Sequence, residues 1–148
     1  MEDRYLFKAK RTDNEEWVTG SLVTCEDGTC KIATRYLDDS ANIAILICVY
    51  DVDRGTICQC TGLKDKNGKL IWENDVVGFW DTYSTENGQA ETDCIGKVVW
   101  DDETISFQVT NRLSAESYEV LDECSVIGNV FDNAELLENE GQHGRKEL

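Results

Sequence analysis

Proline is absent from the 148 residues, and histidine occurs once, at His143 near the C-terminal end. The lack of proline argues against a Pro-rich linker or stalk. The lone histidine removes Ser-His-Asp and Cys-His catalysis unless a polar tail supplies the base. Bases are also few: 14 Lys and Arg face 30 Asp and Glu, a net charge of −16. Phosphate backbones repel such a surface, so direct nucleic-acid binding and attachment to acidic membranes are disfavoured. The imbalance is uneven, with 11 bases against 18 acids (−7) in residues 1–100 and 3 against 12 (−9) in residues 101–148. An acidic end of this kind keeps a protein soluble, meets a basic partner, or imitates DNA. The longest apolar run, IAILICVY over Ile43–Tyr50, is far too short to span a bilayer. The N-terminal MEDRYLFKAKR holds no apolar signal-peptide core. A cytoplasmic protein is therefore expected, with its seven cysteines mostly as thiols, and the odd count agrees with that.

What the chain does hold is a dominant period of two. Tyr5, Phe7 and Ala9 alternate with Lys8 and Lys10, and Trp17 to Val23 alternates again after the turn Thr12–Glu15. Asp27-Gly28 and Asn67-Gly68 are the preferred dipeptides of two-residue hairpins. Asn42–Tyr50 is continuously apolar and reads as a strand buried on both faces. Lys69–Trp72, Val76–Trp80, Ile95–Trp100, Thr104–Thr110 and Ser125–Phe131 read as further strands, while the polar Asp81–Asp93 reads as a loop or mobile hairpin tip. Residues 111–124 stay ambiguous between loop, strand and helix. Asp132 or Asn133 is placed to cap a short helix, Ala134–Glu140, with Leu136 and Leu137 turned inward. The sum is a mainly β fold: a small barrel or two packed antiparallel sheets built from hairpins, with one short C-terminal helix. Residues 1–140 are expected as a single domain, with N-terminal hairpins over 1–53, a barrel-like part over 54–140, and a disordered tail over 141–148.

No stretch spells out a reaction. Lys64-Asp65-Lys66-Asn67-Gly68 echoes a calcium loop, but its glycine comes too early after Asp65 and lysines interrupt the ligands, so the stretch reads as a turn. A two-residue loop at Asp27-Gly28 would set Cys25 opposite Cys30, within reach of a disulfide or a metal clip, and Cys58 and Cys60 would add thiolates. Zinc spacings are missing, so free thiols are expected, with Cys48 in the core. Among paired carboxylates, Asp38-Asp39 and Asp101-Asp102-Glu103 point adjacent side chains apart, and only Asp51 and Asp53 are spaced to share a strand face. Solvated turns are the simpler reading of all three. Trp17, Trp72, Trp80 and Trp100 would serve a stacking platform only beside a positive groove, so they read as core or interface aromatics. No cofactor and no metal site is expected.

The most distinctive stretch is TGLKDKNGKLIWENDVV, residues 61–77. With YLFKAKRTDNEEWVTGSLV, DRGTICQCTGLKD, IGKVVWDDETISFQV and VIGNVFDNAELLE it resembles, in order and over most of residues 4–138, the YopX family of phage and prophage proteins. Cys60 stands where that family usually has Tyr, and Ala134 where a proline often opens the last helix. The resemblance implies a phage or prophage protein in the bacterial cytoplasm, β-rich and prone to self-association, and it supplies no activity. The expectation is a non-enzymatic protein-interaction or self-assembling module with an acidic face, homo-oligomeric or bound to a host or phage protein. The alternative is a carboxylate- and metal-dependent enzyme acting on nucleotides or nucleic acid. Trp72, Asn74 and Asp75 are the candidate binding residues, on the rim of the hairpin.

Overall fold

The period-two segments pair as hairpins, because each presents one apolar face that only a neighbouring strand and a core can cover. A computed structural model describes residues 2–38, 44–110, 117–119 and 123–138. It contains two antiparallel sheets and one short helix, and neither sheet closes into a barrel. The chain divides into two units, Met1–Gly62 and Leu63–Leu148.

In the first unit, β1 (Phe7–Lys10), β2 (Trp17–Thr24), β3 (Cys30–Asp38), β4 (Ala44–Val52) and the start of β5 (Cys58–Lys64) form a sheet of order β4-β3-β2-β1-β5. Its core is Ala9, Cys30, Ile32 and Val52, with Phe7, Val18, Leu22 and Ile57 packed against it. Ile32 is fully buried, which contributes about 1.5–3 kcal/mol. The middle strand changes partner along its length. Trp17–Gly20 pairs with β1, and Ser21–Thr24 pairs with β3. The crossing is made at Gly20, where a Cβ would sit 2.2 Å from the Ala33 carbonyl oxygen.

Two expectations are corrected in this unit. The Asp27-Gly28 hairpin has a three-residue loop, not two: Cys25 N–H donates to Thr29 O (2.9 Å) and Gly28 N–H to Cys25 O (3.0 Å), with Gly28 at φ 89°. A turn followed by a left-handed glycine adds one residue to the loop and shifts the register by one. Further, β4 is an edge strand and is not buried on both faces. It pairs with β3 over nine residues, Cys30↔Val52 to Asp38↔Ala44, and its other edge meets Arg11, at Val52, and Thr12, whose N–H donates to Asp51 O at 3.0 Å. Ile47 is 60% and Val49 55% exposed, and Cys48 is half-buried instead of sitting in the core. An apolar residue on each face carries no signal of which face is covered. Residues 42 and 43 of the expected strand lie outside the described residues.

The second unit starts with the end of β5 and its hairpin partner β6 (Leu70–Trp72). Its sheet follows the order β10-β9-β8-β7-β11: β7 (Asp75–Thr85), β8 (Gly88–Asp101), β9 (Ser106–Thr110), β10 (Ser117–Glu119) and β11 (Ser125–Asn129). The core gathers Ile71, Val77, Val98, Val109 and Cys124, with Phe79, Phe107 and Val126 against it. Asp81–Asp93, expected as a loop or a hairpin tip, is the distal part of a long hairpin, paired down to Thr85↔Gly88. Within the ambiguous 111–124, Ser117–Glu119 pairs with β9 and Cys124 is buried, while residues 111–116 and 120–122 are outside the described residues. The last strand ends at Asn129, not Phe131, because the Asn129 side chain accepts N–H bonds from Phe131 (2.9 Å) and Asp132 (3.0 Å) and turns the chain into α1 (Ala134–Glu138). Leu136 and Leu137 are half-buried. The expected tail, with His143, lies outside the described residues.

The Gly20 crossing predicts that Gly20→Ala destabilises the protein by about 2–3 kcal/mol, since backbone must move to admit the methyl group. A thermal melt should show the midpoint lowered by about 5–10 °C. An unchanged midpoint would mean that β2 and β3 do not approach as closely as described.

Candidate functional site

Asp65 sits in the distinctive stretch and is 5% exposed. Its Oδ1 accepts the N–H groups of Asn67 and Lys69, both at 2.9 Å, and its Oδ2 accepts Val126 N–H at 2.9 Å. Burial pushes this carboxyl up, but the bonds from Val126, Lys69 and Asn67 and the charge of Lys69 outweigh it and hold the group below the ordinary Asp value. The loop is the same three-residue type as at Cys25–Thr29: Asp65 N–H donates to Lys69 O (2.8 Å), Gly68 N–H to Asp65 O (3.0 Å), and Gly68 lies at φ 81°. Lys66 N–H donates to Cys124 O and Asn67 Nδ2 to Ser125 Oγ, so this loop is stitched to the segment that enters β11. Both carboxylate oxygens of Asp65, the acid of the apparent ion loop, are thus aimed at backbone donors.

Trp72, Asn74 and Asp75, the candidate binding residues, form the next turn. Trp72 is 8% and Asp75 3% exposed, and Asp75 Oδ2 accepts the Trp72 N–H at 2.8 Å. Asn74 takes the left-handed conformation, φ 71°, which Asn tolerates better than most residues. There it donates its N–H to Val98 O (2.8 Å) and accepts from Val130 N–H (3.0 Å). The three residues are brought together, but two of them face the interior. The half-exposed pair at the rim is Glu73 and Asn74.

The remaining candidates separate. The register pairs Thr24 with Cys30, so Cys25 is not opposite Cys30; Cys30 is buried, Cys25 is half-buried, and all seven cysteines are free thiols. Asp51 pairs with Lys31, whereas Asp53 lies beyond the strand and accepts Gly55 N–H (3.0 Å) to cap a 3-10 turn at Arg54–Thr56. Asp101 accepts Glu103 N–H (2.9 Å) and Asp102 accepts Trp100 Nε1–H (2.8 Å). These carboxylates satisfy turns and side chains singly. Asp39, of the first pair, lies outside the described residues. Among the described residues no group of three or more His, Cys, Asp or Glu is placed to hold a metal.

Among the described residues that expose apolar groups, two surfaces stand out, one in each unit. In the second unit an open groove of about 210 Å³ is lined by Lys66, Phe79, Trp80, Ile95, Glu123 and Ser125, with Trp80 64% exposed at its rim. It is smaller than a usual small-molecule site. In the first unit the cross-strand pairs Val23↔Lys31, Ala33↔Val49 and Arg35↔Ile47 share the sheet face turned away from the core. Val23 is 42% exposed there. This patch sits in the strand that the sequence reading assigned to the interior, and a run apolar at every position hid it.

The Asp65 geometry predicts that Asp65→Asn costs about 2–3 kcal/mol, because the amide Nδ2 cannot accept and leaves a buried N–H unpaired. The folded pKa is depressed, so the carboxylate stabilises the fold above its ordinary unfolded value and loses that contribution as pH falls through the folded value. Urea unfolding between pH 7 and pH 3, roughly the range that brackets an ordinary Asp, should show a steeper acid loss in the wild type than in Asp65→Asn. Parallel curves would sink the assignment.

No helix among the described residues is long and apolar enough to cross a membrane. No curated protein matches the chain. The family model described as YopX protein matches residues 6–138. The matched span takes in both hairpin loops, the Trp72–Asp75 turn and the Asn129–Asn133 turn. On that match over most of its length, the chain belongs to the YopX protein family.

Proposed function

We propose that this chain acts in the bacterial cytoplasm, as a phage or prophage protein, and that it is a non-enzymatic protein-interaction module. The observation that carries the reading is the outer face of the first unit's sheet. Three large apolar side chains, Val23, Ile47 and Val49, stand exposed at 42%, 60% and 55%. They flank Lys31 and Arg35, two bases in a chain of net charge −16. Apolar groups rimmed by charge are the surface by which soluble proteins meet partners. The acidic remainder keeps the protein soluble and turns away polyanions. Of the carboxylates weighed for a metal-dependent enzyme, Asp51 is in a single ion pair, Asp53 caps a turn, and Asp101 and Asp102 each accept one bond within their own turn, which supports contact over chemistry.

The test is a tagged capture from bacterial lysate with the wild type and a Val23→Glu/Arg35→Glu variant. One protein retained stoichiometrically by the wild type, weakened by added salt and lost from the variant is the expected result. Equal capture by both would remove this face from the function. Magnesium-dependent hydrolysis of nucleotides by the wild type would overturn the non-enzymatic reading.

A further inference from the structure

The groove in the second unit is opened by a glycine. On β7, Gly78 and Trp80 lie on the sheet face opposite Val77 and Phe79, which pack toward the core. The register sets Gly78 between Ser125 on β11 and Ile95 on β8. A Cβ added at Gly78 would meet no atom closer than 3.9 Å, so a hollow is left beside Trp80. Lys66 and Glu123, both exposed, line the same groove with opposite charges. A space of about 210 Å³ takes one long side chain, not a cofactor. The Trp80 ring is open as well. In the first unit, bases of the chain itself cover the rings: Arg4 lies over Tyr5 at 5.0 Å, Lys8 over Trp17 at 4.8 Å and Arg11 over Tyr50 at 4.5 Å. Trp100 meets Phe107 edge-on and donates Nε1–H to Asp102. Trp80, 64% exposed, has no such partner among the described residues.

We infer that this groove binds the cationic side chain of an arginine or lysine presented by a basic peptide segment. The charged head lies over the open indole face of Trp80, whose ring quadrupole attracts a cation, and pairs with the Glu123 carboxylate. The aliphatic stem fills the hollow over Gly78 and lies along Ile95. Charge selects this occupant over an anion. The second unit holds 7 bases against 19 acids, a field that draws bases in and turns phosphate groups away. Lys66 opposes the cation, so its removal reports the sign of whatever binds. The site lies in the other unit from the Val23–Lys31–Arg35 face and stands or falls without it.

Proton–nitrogen NMR titration of the full chain tests this. The probe is the capped peptide acetyl-Ala-Ala-Arg-Ala-Ala-amide, and its neutral control carries Gln in place of Arg. The Arg peptide should move the Trp80 indole N–H signal saturably, and the Gln peptide should leave it in place. The Gly78 amide then follows affinity in the variants, whose altered side chains are exposed and leave the core intact. Affinity for the Arg peptide should fall about fivefold in Trp80→Ala and about two- to fivefold in Glu123→Gln. Glu103→Gln removes the same charge from the same unit but outside the groove, and it should leave the affinity nearly unchanged. Lys66→Ala should tighten binding. An unmoved Trp80 signal, equal shifts from the Gln peptide, or equal losses in Glu123→Gln and Glu103→Gln would each overturn the site. Weaker binding in Lys66→Ala, or saturable binding of adenosine monophosphate that Lys66→Ala abolishes, would mark the occupant as an anion and overturn it too.

Discussion

A single buried carboxylate sets the geometry of the second unit. Asp65 accepts from three backbone N–H groups, two in its own loop and one at the start of β11, sixty-one positions along the chain. A buried carboxylate is costly unless its lone pairs are filled, and here the filling groups are those that the loop and the last strand would otherwise leave unpaired. The bond to Val126 fixes where β11 begins. The register Val126↔Val77 then sets Val126 beside the core residue Val77. The same logic recurs at Asp75, whose carboxylate takes the Trp72 N–H as the chain reverses into β7. Both acids look like ligands in the sequence and act as fasteners in the fold.

The two glycine hairpins show how one residue of loop length decides chemistry. At Cys25–Thr29 and Asp65–Lys69 the hydrogen bonds and the positive-φ glycine have the same pattern. Each loop holds three residues, so each register is displaced by one from the two-residue turn that Asp-Gly and Asn-Gly suggest. On a strand, a displacement of one carries a side chain to the other face. That is why Cys30 is buried while Cys25 is not, and why the pair cannot form the clip that an Asp27-Gly28 two-residue loop would have set up.

The mainly β class, the hairpins and the short C-terminal helix were legible because alternation, turn dipeptides and an Asp-Asn pair before an apolar turn are local signals. What stayed hidden depends on neighbours. Ile47 and Val49 look like core residues, and only their place on the sheet face turned away from the core, shared with Val23, exposes them. Tyr83 and Ala90 sit in a polar stretch that reads as a loop or a hairpin tip, and only the strand register decides for the hairpin by pairing them. Trp72, Asn74 and Asp75 were found by their distinctive sequence, but the sequence could not say that the turn closes inward through Asp75.

Charge and strand pairing together decide what this surface can recruit. A uniformly acidic protein would present no distinct electrostatic site, since its potential would be similar everywhere. Here the first unit carries 7 bases against 11 acids and the second 7 against 19. The seven uncharged residues 44–50 belong to the milder unit. On the outward face of the first unit's sheet, Lys31 and Arg35 lie among Val23, Ile47 and Val49, and any charge contact made through those two bases would weaken as salt rises whereas burial of the apolar groups would not.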